Sequence, residues 1–236
     1  MDAAEPDSLG AGVRGRTFTL RPLAWQARSG ASGVAPVSTR LAGSNYVYTT
    51  DKAALDLTGS LAIAVLVAMD DWTPTATQNI AGKYETTAAT RSFLFSVLSS
   101  GVFRFAAAVG GTSSGVDVNS GAGTAPGFTN GSVQWIGVDR DGSTGTVRFW
   151  RAAATADRSL PSSWTQVGTD KAASATAINN STAELRIGVS AGSNFLVGDV
   201  HRFVLFSGNL TAGSVVADFL GGSLGGDAYG NTWALS

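Results

Sequence analysis

Few residues in this chain are equipped for chemistry, and they are scattered. Cleaving a glycosidic bond takes two carboxylates flanking the scissile oxygen, yet the glutamates are Glu5, Glu85 and Glu184, each isolated in sequence. The tight acidic pairs are Asp70-Asp71 and Asp139-x-Asp141, both at the ends of strand-like runs where turn formation is the ordinary role. A nucleophilic triad needs a base, and the sole histidine, His201, sits inside an alternating apolar run as a polar strand residue. The Gly-rich stretches 110–123 and 221–226 lack the lysine and following helix of a phosphate cradle. With no cysteine, disulfides, thiolate metal sites and thiol nucleophiles are excluded together. What remains is aromatic: Trp72, Trp150 and Trp164, at loop or strand-end positions, are candidate platforms for a sugar ring. The chemistry reads as binding, and the expectation is no enzyme.

The bulk composition agrees. Charged residues are 14% of the 236, against roughly 25% in an average globular protein. Hydrophobic residues reach 44%, enough for a substantial core. A net charge of −1 without a Lys/Arg-rich run disfavours a nucleic-acid partner, which would demand clustered cations. No apolar run approaches the roughly 18 residues of a membrane span, so no membrane insertion is expected. The acidic start Met1-Asp2-Ala3-Ala4-Glu5-Pro6-Asp7 does not read as a signal peptide. Residues 1–40 carry five of the sixteen basic residues and one strand-like stretch, Arg16–Leu20. We expect an extended arm there that docks on a neighbouring subunit through Phe18, Leu20, Leu23 and Trp25; a loosely tethered tail is the plainer alternative.

From residue 45 onward the period is two, the signature of strands. Candidate strands are Asn45–Thr50, Leu61–Met69, Ile80–Tyr84, Ser163–Gly168, Glu184–Val189 and Gly198–Phe206, with a short one at Gly115–Val118. Leu61–Met69 is apolar on both faces, as in the depth of a sandwich. Arg91–Leu98 and Val102–Val109 form one hairpin, with Phe93, Phe95 and Val97 on a shared face. Val133–Asp139 and Thr146–Arg151 form another, turned at Asp141-Gly142. Leu210–Leu220 reads as one or two helical turns capped by Thr211, and residues 221–226 as a flexible connector before a late anchor, Trp233.

Six phrases run in a telling order: Tyr46–Tyr48, Ile63–Trp72, Phe93–Phe105, Trp135–Trp150, Leu185–Gly188 and Gly198–Thr211. In this order they resemble the concanavalin A-like jelly roll in its laminin G-like or pentraxin-like form, over residues 45–215. The resemblance implies an all-β fold, a jelly-roll sandwich of two antiparallel sheets, with Trp135 buried in its core. The organisation is then an arm (1–40), the sandwich (41–220) and a C-terminal tail (221–236) packing on the sandwich or on a neighbour.

The resemblance carries no single activity. Glycanases of this kind carry a Glu-x-Asp-x-x-Glu phrase that is missing here. Relatives often hold Ca²⁺ at one rim, which implies candidate ligands at Asp70, Asp71, Asp139 and Asp141, with Asp117, Asn119 and Asn194 as further oxygen donors. For Asp139-Arg140-Asp141-Gly142 a hairpin turn is the competing reading. The Ala/Gly/Thr-rich, cysteine-free style resembles phage tail or head-surface proteins. The expectation is therefore a non-enzymatic virion structural protein, homo-oligomeric, on the virion surface, packing against other virion proteins and attaching to host glycans. A free bacterial lectin-like module is the alternative, and a polysaccharide-cleaving enzyme a more remote one.

Overall fold

In chain order the strands of the computed structural model are β1 (Thr39–Ala42), β2 (Val47–Thr49), β3 (Leu61–Met69), β4 (Gln78–Tyr84), β5 (Arg91–Val97), β6 (Phe103–Ala107), β7 (Val116–Asn119) and β8 (Val133–Arg140). Then follow β9 (Thr146–Ala153), β10 (Thr165–Ala172), β11 (Leu185–Ile187), β12 (Val197–Ser207), β13 (Ser214–Leu220), β14 (Gly225–Gly226) and β15 (Thr232–Leu235). The structure describes residues 38–110, 115–121 and 126–236. The arm with Phe18, Leu20, Leu23 and Trp25 lies outside the described residues. Single 3-10 turns at Ala53–Leu55 and Ala88–Thr90 are the helical elements among the described residues.

The strands form two antiparallel sheets. One runs β1-β12-β3-β8-β9-β10, with β13 also on β12; the other runs β14-β15-β2-β11-β4-β5-β6-β7. The pairs β1-β12, β12-β3, β3-β8, β15-β2, β2-β11 and β11-β4 join strands distant in sequence, as a jelly roll's crossovers require, and the fold is the sandwich of two antiparallel sheets implied by the phrase order. Alternation explains the core. Ile63, Val65 and Val67 of β3, Phe149 of β9 and Phe203 of β12 face Phe93, Phe95, Phe103 and Phe105 of the opposing sheet, all fully buried. Phe103 and Phe149, ring centroids 6.5 Å apart, join the two sheets. Each such side chain contributes about 1.5–3 kcal/mol by leaving water.

β12 organises the first sheet. Val200 pairs with Val67 and Arg202 with Leu66, so His201 is an extra, bulged residue. On the same side of β12, β1 pairs before the bulge and β13 after it. His201 is buried there, and burial pulls its pKa below the ordinary value, with Asp199 opposing and Arg158 assisting. Its position is that of a strand residue at a change of partner.

One expectation is corrected. Leu210–Leu220 is not helical: its second half is β13, because Ala217 and Phe219 alternate inward onto the core while the β-branched Val215 and Val216 favour extended backbone. The last sixteen residues lie against the sandwich. β15 pairs with β2 in the eight-stranded sheet, and Trp233, 3% exposed, packs against Phe203 and Phe219.

Candidate functional site

The three tryptophans chosen as platforms separate. Trp72 follows β3, 2% exposed, with its indole N–H donating to the Ser132 carbonyl and its ring edge-on to Phe128. A buried ring cannot stack on a sugar, so that assignment is corrected. Trp150 and Trp164 do come together. Gln166 pairs with Trp150 across β10 and β9, which makes Trp164 a diagonal neighbour on the same outward face, roughly 7–8 Å away for such pairs. Both are half-buried on the outer surface of the seven-stranded sheet.

Polar side chains from three adjacent strands ring the Trp150 indole. Its N–H donates to Asp139 Oδ2 at 2.9 Å. Arg148 lies 3.7 Å from Asp139 Oδ1 and donates to Asp170 Oδ2 at 3.2 Å. Gln166 donates to Asp170 Oδ1 at 2.8 Å. Asp170 stands toward solvent and Gln166 is half-buried, while Asp139 is 4% exposed. Burial pushes the Asp139 carboxyl above its usual range, against the opposing pull of the Trp150 N–H and the Arg148 charge.

That shift has a testable sign. A carboxyl whose folded pKa is raised stabilises the fold fully below its unfolded pKa and loses that contribution as pH rises through the folded value. Asp139→Asn should therefore cost less stability at pH 7 than at pH 4, in urea unfolding at both. A larger cost at pH 7 would contradict the assignment.

A strap covers the neighbouring part of this face. The connection between β9 and β10 crosses the outer face as far as β12, where the Arg158 carbonyl accepts from Arg202 at 2.9 Å. Along the way Leu160 and Trp164 settle on a second apolar cluster of Ala62, Ala64, Leu66, Trp135, Val204 and Leu210. Trp164 meets Trp135 edge-on at 6.1 Å. Gly137 is their floor: a Cβ there would crowd the Ile63 carbonyl oxygen at 3.0 Å and Leu210 Cδ1 at 3.1 Å, with Trp164 Cζ3 in ordinary contact at 3.5 Å. Trp135 is buried, as expected, but beneath the strap instead of between the sheets.

The carboxylates proposed for Ca²⁺ do not converge. Asp139 pairs with Ala62 at the start of β3, whereas Asp70 follows its last residue; at 3.3 Å per residue they stand about 25 Å apart. Asp70 is held by Arg40, and Asp71 accepts from the Thr73 N–H at 2.9 Å. Asp117 is paired with Arg104, and Asn119 accepts from the Gly121 N–H. Asp141 accepts from the Ser143 N–H and hydroxyl, which hold its pKa down to about 2 as the turn reading requires. A calcium cage needs six to eight convergent oxygens, and no group of three or more acidic or histidine side chains among the described residues is gathered to hold a metal.

The glutamates are not as isolated as their sequence spacing suggests. Glu85 and Glu184 both pair with Arg186 on the outer face of the eight-stranded sheet, where Arg186 also lies 5.0 Å from the Tyr46 ring centroid. One guanidinium held between two carboxylates occupies the place a scissile bond would need.

Sequence reasoning missed Arg148, Gln166 and Asp170. Their signal was present in the alternation of β9 and β10: Arg148 and Trp150 share one face, as do Trp164 and Gln166. The lesson is that an aromatic at a strand end should be read together with its i±2 neighbours.

No family model matches the chain, and no curated protein is similar to it. Solved structures do match. A heptameric SAP-like pentraxin of Limulus polyphemus is 12% identical, with a TM-score of 0.48 over 75% of this chain and 78% of that one. The CBM40 of the Ruminococcus gnavus IT-sialidase, bound to alpha2,3 sialyllactose, is 9% identical, with a TM-score of 0.47 over 74% and 91%. Tailspike protein 2 of an Escherichia coli bacteriophage is 10% identical, with a TM-score of 0.44 over 75% of this chain and 27% of that one. Likenesses this distant carry no argument about ligand or activity.

Proposed function

We propose that this chain is a non-enzymatic, lectin-like recognition module that binds glycans on the outer face of its seven-stranded sheet, with Trp150 and Trp164 as stacking surfaces. The observation that carries the reading is the pair itself: two half-exposed indoles on one face, beside an exposed carboxylate and half-buried amide and guanidinium groups suited to sugar hydroxyls. A shallow, open sheet face gives modest affinity per copy, so such a module works by display in many copies. We read it accordingly as a phage virion surface component of the tail or head, packing against other virion proteins. The cysteine-free, weakly charged composition supports that setting.

The test is glycan binding by the full chain, on an array and then by calorimetry. Trp150→Ala and Gln166→Ala should each weaken binding about tenfold or more, the usual effect of truncating a contact at the centre of a site. Gln166→Ala alters a half-buried position on the outer face of β10 and should shift the urea midpoint far less than Trp150→Ala, separating binding from folding. Binding that survives both substitutions, or no glycan binding at millimolar concentration, would refute the site.

A further inference from the structure

Lys83 is the one lysine among the described residues withdrawn from solvent, its side chain 0% exposed. The register of β4 against β5 shifts between Gly82 and Tyr84, and Lys83 lies in that irregularity. Its Nζ meets two carboxylates, Asp51 Oδ1 at 2.5 Å and Asp56 Oδ1 at 2.9 Å, with the Leu55 carbonyl at 3.5 Å. The 3-10 turn Ala53–Leu55 sits between the two acids in sequence and brings both onto one amine, while Leu55 itself is fully buried. Placing an ammonium there costs several kcal/mol of hydration. A solubilising surface lysine gains nothing from such a position.

We propose that this trio is the site of an intramolecular isopeptide bond, in which Lys83 Nζ condenses with the Asp51 side chain and Asp56 carries the proton. In the first step one ammonium proton passes to the Asp51 carboxylate, leaving a neutral amine beside a neutral acid. The amine lone pair then attacks Asp51 Cγ. Asp56 accepts the second proton from Nζ and delivers it to the departing Asp51 oxygen. The N–C bond forms, the C–O bond breaks, one water leaves, and Asp56 ends as it began. Ammonium and carboxylate become a neutral secondary amide, and no oxidant, metal or co-reactant takes part. The Asp51 side chain is 26% exposed, which gives the water a way out. The amide would lock the β2–β3 connection to β4, closing the chain from residue 51 to residue 83.

The experiment is the intact mass of the purified full chain under denaturing conditions, followed by digestion and fragment sequencing. The expected result is a mass one water below that calculated from the sequence, and a branched peptide joining Asp51 to Lys83. Lys83→Arg should restore the calculated mass, as should Asp51→Ala. Asp56→Ala, which keeps both bonding partners, should slow the loss of water at least tenfold, followed from freshly made protein. A parent chain at its full calculated mass after prolonged incubation overturns the proposal, as does a branch at Asp56 in place of Asp51. Because the parent's mass decides the matter, the result does not depend on whether any variant folds.

Discussion

Replacing Arg140 with methionine should destabilise the sandwich by about 4 kcal/mol, the range seen when one partner of a buried charged contact is removed. Arg140 closes β8 with a fully buried side chain, and no carboxylate among the described residues pairs with its guanidinium. Instead it donates to three main-chain carbonyls, Gly59 at 2.8 Å, Ser174 at 2.9 Å and Thr176 at 2.7 Å. These belong to the loop entering β3 and the loop leaving β10, so one side chain ties two connections that share no ladder. Methionine fills comparable volume but leaves the acceptors without donors, each worth roughly 1–3 kcal/mol when buried. Lysine, with a single ammonium, cannot span all three, and Arg140→Lys should recover less than half the loss. The measurement is urea unfolding with the slope m held constant. A loss below about 1 kcal/mol for Arg140→Met would mean that water or loop rearrangement satisfies the carbonyls.

The second large effect is expected at the other end of the chain. Trp233→Ala should cost about 3–5 kcal/mol, as for large aromatics deleted from a close-packed core. The indole closes the core against Phe203 and Phe219 at centroid distances of 5.9 and 5.4 Å, and its N–H donates to Asp227 Oδ2 at 3.1 Å. Asp227 is itself a hub that accepts from the N–H groups of Asp218, Tyr229 and Asn231. Burial alone would raise its pKa; those donors outweigh it and hold the carboxylate below its usual range. Trp233→Phe, which keeps the ring packing and loses the hydrogen bond, should cost only about 1 kcal/mol. If Trp233→Ala unfolds at the parent's urea midpoint, the C-terminal segment is an appendage after all.

Most strands were legible because one rule, alternation over a buried face, operates wherever a segment is long. Leu61–Met69 matches β3 end to end, and the Phe93/Phe95 and Phe103/Phe105 hairpin matches β5 and β6 within a residue or two. The rule fails where the strand is short or its partner remote. β1, with Leu41 as its one buried residue, gives no period to read, and β14 is two glycines whose pairing depends on the Asp227 turn. At Leu210–Leu220 the spacing of Leu210, Ala217 and Leu220 imitates a helix, and the β12 ladder decides otherwise. The site was half-legible for a related reason. Trp150 and Trp164 announce themselves by type, but Asp139, Arg148, Gln166 and Asp170 become a set only once β8, β9 and β10 lie side by side. Lys83 was legible as a strand residue; that it points inward follows from a register slip no spacing announces.

Among the described residues the β10 margin of the seven-stranded sheet pairs with no further strand, which has a consequence for crowding. Its outermost ribbon, β10, breaks step with β9 between Val167 and Lys171, and there Gly168 takes φ +76° with its Cα pressed toward the Ser120 carbonyl. Asp170 and Lys171 follow at once. A kinked, charged selvage offers no straight row of amides on which a second molecule could continue the weave. Copies held millimolar-close should therefore stay separate along this border instead of knitting into fibres.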